Sequence, residues 1–426
     1  MKRVVILCVW LFSVVAGHAQ LSLDECRRLA RENYPEIRQY DLVHQTEQYN
    51  LSNAARAWIP QLAFSAQATW QTDAPNFPKE LTGMLAQQGL EIPGLRKDQY
   101  KVALELNQTI WDGGKSVADK RIARAEAAKQ KTMTDVDLYE LEGRVDDLYF
   151  GILLLDERIA QTNLTLNLLR SNLEKVRALQ RNGVAMQSDA DVLEAELLSV
   201  GQQLIQFESS CDSYRRMLGI FIGQRVGDRK LQRPSAVQPL SGESARPELA
   251  MFAAKIDRLT AQEKMVKSSS MPRLGFFAQG YYGYPGLDYM QSMMNNDWSW
   301  NAMLGVKLSW NFGAYYTQKN NLNKLRTSRQ QVEVQRDVFL FNMNLQAAQE
   351  NGDIARLRKA IADDDRIVAL RRSVREAAES KLRNGIIDTH DLLSKITDES
   401  TASMARSMRE IELLKAIYEY KHTINR

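Results

Sequence analysis

The chain has 426 residues, and its 56 Lys and Arg against 52 Asp and Glu give a net charge of +4; basic residues alternate with acids instead of clustering, which argues against a nucleic-acid partner. Three cysteines are too few for a disulfide-stapled secreted scaffold and lack the paired spacing of a metal or redox site. Only ten prolines occur, so long stretches run without a breaker and point to elongated elements rather than two or three compact domains.

At the N-terminus, Lys2 and Arg3, an apolar run from Val4 to Val15 and the small residues of Ala16-Gly17-His18-Ala19 predict a secretory signal over 1–19. Cys8 stands at the start of that run, so no acyl anchor is expected. Losing Lys2 and Arg3 takes the charge from +4 to +2. The remaining cysteines, Cys26 and Cys211, read as packing residues. Beyond the signal no apolar run approaches the roughly 18 to 20 residues of a spanning helix, so any membrane crossing must use strands.

The rest of the chain repeats one plan, with halves at 20–225 and 248–426 joined by a Pro-, Gly-, Ser- and charge-rich linker at 226–247. Trp111-Asp112-Gly113-Gly114 returns as Trp310-Asn311-Phe312-Gly313, 199 positions later, and Arg181-Asn182-Gly183 as Arg383-Asn384-Gly385, 202 positions later. Each half reads as helix, two strands and two long helices joined by a turn.

After a first helix closing at Pro60, Leu62, Phe64, Ala66, Ala68 and Trp70 alternate with polar or small residues, and Tyr100, Val102, Leu104, Leu106 and Ile110 do the same. Past Pro272 the pattern recurs in Leu274, Phe276, Ala278 and Tyr282, then in Trp300, Ala302, Leu304, Val306 and Leu308. These lengths match the roughly 9 to 11 tilted residues that cross an outer membrane, with aromatic residues at the strand ends. A soluble half-buried sheet would alternate in the same way. Four strands leave two open edges that lipid cannot satisfy, and such barrels need at least about eight strands. Closure therefore requires several chains. The connections from Thr72 to Asp98 and from Gly283 to Trp298 read as outward loops, with Pro75, Pro78, Pro93 and Pro285 in turns.

From Lys115 to Arg181 there is no proline, which predicts a rod roughly 100 Å long. Leu138, Leu141, Val145, Leu148, Ile152, Leu155, Ile159, Thr162, Leu166, Leu169, Leu173 and Val176 keep alternating spacings of three and four, a coiled-coil seam. Leu193, Leu197, Val200, Leu204, Phe207, Cys211, Tyr214 and Leu218 answer it on the return. The second pair has a looser seam, Ile354, Leu357, Ile361 and Val368 against Met404, Met408, Ile411, Leu414 and Tyr418, interrupted by Gly352 and Asp364. Arg356, Arg358, Asp363 and Arg371 read as a solvated face.

Taken in order, Ser22-Leu23-Asp24-Glu25-Cys26, the Pro60 and Pro272 approaches to strands, the Gly113-Gly114 and Gly313 starts of the rods and the two Arg-Asn-Gly turns resemble the TolC family of outer-membrane efflux proteins over nearly the whole mature chain. The resemblance implies a mixed α and β membrane protein with an internal two-fold repeat. Four transmembrane β-strands per chain would form a twelve-stranded barrel in a homotrimer, above long α-helical coiled-coil hairpins. Expected partners are outer-membrane lipid, a periplasmic adaptor (membrane fusion) protein and an inner-membrane pump of RND, MFS or ABC type. The function implied is a passive exit duct of an efflux or type I secretion system, gated at the periplasmic tips and using no cofactor.

The family's tip turns carry a Gly followed six residues later by Asp, here Gly183 with Asp189 and Gly385 with Asp391. Repeated in three chains, such carboxylates would form a cation-attracting ring; as acids near helix starts they equally suit the helix dipole. Gly183, Val184, Ala185, Met186, Gly385, Ile386 and Ile387 are the expected adaptor-docking residues. The chain departs from the family's latch: Leu382 and Ile387 stand where a Tyr and an Arg can link the hairpins, and Ser394 where a second acid can stand. Other contacts must hold its hairpins together, with Arg383, Asp388 and His390 as candidates.

An enzyme is not indicated. His44, His390 and His422 have no metal-ligand spacing, and Gly113-Gly114 lacks the Lys-Ser or Lys-Thr of a phosphate loop. The other classes open to such a sequence are a periplasmic adaptor and a structural coiled-coil protein of an envelope complex. Duplication argues against the first and the strands against the second.

Overall fold

A computed structural model describes residues 20–235 and 244–425. The expected signal at 1–19 and the middle of the linker, 236–243, lie outside the described residues. The described chain forms two compact units, one from 40–131 and 251–335, the other from 20–39, 132–235, 244–250 and 336–425.

The first unit holds a single antiparallel sheet of four strands in chain order, β1 (Gln61–Trp70), β2 (Asp98–Trp111), β3 (Arg273–Tyr284) and β4 (Ser299–Ser309). Period-two patterning fixes the register. Leu62 pairs with Leu106, Phe64 with Leu104 and Ala66 with Val102; Val102 pairs with Tyr282, and Phe276 with Val306 and Tyr282 with Trp300. One face is therefore apolar from edge to edge. It is also uncovered, since Phe64 is 73% exposed and Leu304 76%. Trp298, Tyr100, Tyr282 and Trp300 cluster at one end of that sheet, with neighbouring ring centroids 5.0 to 5.6 Å apart. β1 and β4 have no outer neighbour among the described residues.

Helices α2 (Gln39–Arg56) and α6 (Pro247–Ser268) precede the two strand pairs, and two long helices follow them, α4 (Lys115–Arg181) and α8 (Gly313–Arg383). In this unit they are tied by ion pairs: Lys131 to Glu47 at 3.7 Å, Arg258 to Glu126 at 2.6 Å and Arg329 to Glu263 at 3.0 Å. The two outward connections are not plain loops. Each contains a short helix, α3 (Lys79–Gln87) and α7 (Tyr289–Asn295), and they meet where the Gly94 N–H donates to the Met293 carbonyl at 3.1 Å. Pro78, read as a turn, stands immediately before α3, a position that proline tolerates because the first helical N–H groups have no partner to lose.

The second unit holds α1 (Leu23–Asn33), the hairpin of α4 and α5 (Gln187–Ile222) and that of α8 and α9 (Thr389–Ile424); α1 packs on α5, and its Arg27 pairs with Asp146 of α4 and lies 5.7 Å from the centre of the Tyr418 ring of α9. The expected α4 seam is buried throughout except Ile159, which is half-buried. On α5 the seam holds through Leu193, Val200, Cys211 and Leu218, while Tyr214 is 39% exposed. The second pair differs more. Ile354, Leu357 and Ile411 are buried as expected, but Ile361, Val368, Met404 and Met408 are only half-buried, and Leu392, Ile396 and Ile417 take over the deepest positions. Asp364, expected as an interruption, is 4% exposed and pairs with Arg409.

Cys26 and Cys211 are free and buried. Burial raises the Cys26 thiol to about 12, so a packing role fits both. At the end of α9, His422 stacks on Tyr139 with centroids 4.2 Å apart, and its carbonyl accepts from Tyr139 Oη at 2.5 Å and Arg246 Nη1 at 3.0 Å. Burial, with Arg246 and Arg27 nearby, lowers the imidazole pKa from 6.5 to about 4. The folded state thus prefers neutral His422, a stabilisation present above pH 6.5 and lost as pH falls toward 4. Glu350 and Asp146, raised first by burial, work in the opposite sense, so the readout must be a difference. His422→Phe keeps the stacking and is expected to remove this part of the acid destabilisation; thermal midpoints of both proteins between pH 6.5 and 4 check it, and parallel curves would refute it.

Candidate functional site at the hairpin tips

Both tips are built by the same terminating motif. At the end of α4, Gly183 donates to the Gln180 carbonyl at 2.9 Å and Val184 to that of Leu179 at 2.9 Å; at the end of α8, Gly385 donates to Leu382 and Ile386 to Lys381, both at 3.0 Å. This pairing needs a left-handed residue after the helix. Gly183 and Gly385 supply it, with φ of +73° and +69°. The recurring Arg-Asn-Gly therefore marks a rigid stop rather than a slack loop.

The paired acids differ in what they do. Met186 precedes α5 and its backbone N–H donates to Asp189 Oδ2 at 2.8 Å, so Asp189 closes the helix start from inside the first turn. In the second tip Asp388 does the capping, accepting the Asp391 N–H at 2.8 Å. Asp391 is exposed, and its carboxylate accepts no hydrogen bond among the described residues. The two positions match in sequence, yet only Asp391 has its charge wholly uncommitted.

Of the expected docking residues, Val184, Met186 and Ile386 are 66%, 75% and 67% exposed. Ala185 and Ile387 instead pack against the core where the two hairpins meet, together with Leu382. That core joins all four helices through Leu169 and Leu173 on α4, Leu193 on α5, Ala378 on α8, and Leu392 and Ile396 on α9. Leu382 and Ile387, at the latch positions, thus pack on the core that the two hairpins share.

A charged network adds to that packing. Lys175 Nζ on α4 lies 3.3 Å from Glu379 Oε2 on α8. Arg375 contacts both Glu379 and Glu399, and Arg372 Nε reaches Glu399 at 3.2 Å. Burial works against the Glu379 carboxylate, but Arg375 and Lys175 hold its pKa below the ordinary value. Higher up, Thr165 and Ser400 hydroxyls share a hydrogen bond of 2.6 Å, and Gln161 Nε2 donates to Ser407 at 3.2 Å. Nothing in the local sequence marks the ion pairs of this network, because each charged member looks like an ordinary solvated helix charge. Arg371, read as solvated, pairs with Asp398 at 2.7 Å. Arg383 and His390, the other latch candidates, are exposed. Among the described residues no three His, Cys, Asp or Glu side chains are placed to hold a metal ion.

The sequence model of the outer membrane efflux protein family matches residues 27–223, from α1 to the end of α5. Among solved structures the fold is similar to that of the outer-membrane channel OprN, with a TM-score of 0.70 and 14% identity over 94% of this chain and 89% of that one. It is also similar to the outer membrane protein VceC of Vibrio cholerae (0.66, 15%, 94% and 95%). The open state of the MtrE outer membrane channel of Neisseria gonorrhoeae gives 0.65 and 14% over 94% and 88%. At these identities the likeness is one of fold. No curated protein sequence matches the chain.

Proposed function

We propose that this chain, matched by the outer membrane efflux protein family over its first half and folded as the TolC-type channels are, is one protomer of a trimeric exit duct. The observation that carries the proposal is the sheet: one face is apolar from β1 to β4, and neither edge has a partner strand among the described residues. In lipid every backbone polar group must find a partner, so the edges pair with other chains, and three chains of four strands give twelve. No described helix is long and apolar enough to span a membrane, which leaves the strands as the crossing elements.

Val334, Val338, Phe341 and Leu345 add support from α8. They recur at four, three and four residues and are 53 to 70% exposed, a second coiled-coil stripe that suits a neighbouring protomer. In this reading the hairpins stand in the periplasm, and Val184, Met186 and Ile386 meet an adaptor that links the duct to an inner-membrane pump. The duct is passive and does no chemistry; energy comes from the pump. The carboxylates of Asp391, assisted by those of Asp189, ring the mouth and attract cations.

Single-channel conductance in planar bilayers, with the detergent-extracted oligomer sized in parallel, tests this. A trimer with small cation-selective currents is expected. Asp391→Ala should lower selectivity more than Asp189→Ala, since Asp189 spends one oxygen on Met186. Monomers without conductance would return the chain to the adaptor or scaffold classes. A conducting trimer indifferent to both substitutions would keep the duct and discard the acid ring.

A further inference from the structure

The face of the sheet opposite the apolar one carries four charged side chains, Lys101 and Glu105 on β2, Arg273 on β3 and Lys307 on β4. Three cations less one carboxylate leave a surplus of two on this face of each chain. The charges are not equivalent. Lys101 Nζ donates to Gln279 Oε1 at 3.1 Å and lies 4.6 Å from the centre of the Tyr281 ring, and Gln279 in turn donates to Glu105. Lys101 and Glu105 are thereby tied into one neutral group.

Arg273 and Lys307 are left over. Lys307 stands opposite Gly275 and Arg273 opposite Ser309, so the two cations are diagonal neighbours, roughly 7–8 Å apart at the backbone, and Gly275 places no side chain between them. Both are exposed, and neither has an ion-pair partner among the described residues. They open onto a recess of about 580 Å3 whose acids are already engaged. Asp112 accepts from the Gly114 N–H at 2.9 Å and the Ser116 N–H at 2.6 Å, and Asp119 pairs with Lys115 at 2.8 Å. Phe277, on the same wall, covers Gly305.

Two adjacent cations with no ion-pair partner among the described residues repel each other unless an anion joins them. We propose that Arg273 and Lys307 form an anion-attracting station on the channel-lining face, taking the carboxylate, sulfate or phosphate groups of solutes in transit. The inference rests on the barrel reading above, in which the polar face lines the lumen and the pair occurs once per protomer. A local surplus of one sign of charge on a low-dielectric wall concentrates counter-ions beside it, so the station favours anionic cargo at the barrel whatever the tips prefer.

The test is the reversal potential in a KCl gradient, measured on trimers carrying Asp189→Asn and Asp391→Asn so that tip charge does not contribute. Adding Arg273→Gln and Lys307→Gln is expected to lower the chloride-to-potassium permeability ratio at least about threefold near 0.01 M salt, and much less near 1 M, where the Debye length shrinks from about 30 to about 3 Å. Arg273→Lys with Lys307→Arg should keep the ratio. An unchanged ratio in conducting glutamine variants overturns the station and leaves the duct standing. Absence of conductance in the wild-type protein overturns the duct and the station with it.

Discussion

Glu379→Lys is expected to raise the open probability of the duct roughly tenfold, the effect of about 1.4 kcal/mol on a two-state equilibrium. Glu379 receives Lys175 from the first hairpin at 3.3 Å and Arg375 from its own helix, so reversing its charge sets three cations against one another. At an effective dielectric of 20, each like pair near 4 Å costs about 4 kcal/mol, and exposure of Lys175, 48% at its side chain, screens much of it. The surviving repulsion acts between hairpins, where Leu382 and Ile387 offer only packing. Adding Lys175→Glu should bring conductance back toward wild type. Bilayer recordings decide this, and an intact trimer with wild-type conductance in the single variant would show that the network does not hold the hairpins.

The largest stability effect is expected at Asp364. It lies in the α8 seam at 4% exposure, pairs with Arg409 and keeps its Oδ2 buried without a hydrogen bond among the described residues. Arg409→Leu leaves that carboxylate unpaired and should cost about 3 kcal/mol. Removing both charges, in Asp364→Leu with Arg409→Leu, should be neutral or stabilising, since desolvation of the pair absorbs most of its attraction. Denaturation midpoints of the detergent-extracted protein distinguish the cases. A double variant as unstable as the single one would refute the account. The neighbouring pairs, Arg406 with Asp365 at 2.8 Å and with Glu410 at 3.0 Å, remain in both variants and serve as an internal control.

The first hairpin was legible because its α4 seam is apolar at every position but Thr162, and regular spacing of three and four leaves one face to bury. The second was legible only in outline. Around Gly352 and Asp364 burial shifts off the expected row, and contact passes to an ion pair that hydrophobic periodicity cannot register. The strands were readable for a related reason: period two leaves little freedom of register when one face must be apolar. Helices α3 and α7 were missed because prolines beside them read as turns.

At the tips, Arg-Asn-Gly was readable because glycine alone adopts the left-handed turn without strain. What joins the hairpins was not. Lys175 and Glu379 are 204 residues apart, and nothing local distinguishes them from other helix charges. The contrast between Asp189 and Asp391 was likewise hidden, because it depends on whether the residue before the helix, Met186 or Asp388, has a side-chain carboxylate to cap it.

The unpaired edges of β1 and β4 also bear on how such a molecule is made. Before it meets its neighbours, a protomer presents two edge strands of 10 and 11 residues beside an apolar face, an adhesive template for any extended chain. Such a chain cannot safely wait alone at high concentration in an aqueous compartment. On the proposed reading, either a holding factor must cover the sheet before assembly, or edge pairing and entry into lipid must proceed as one event. On the trimeric reading proposed above, the yield of correctly built ducts would then be set by how quickly three chains find one another.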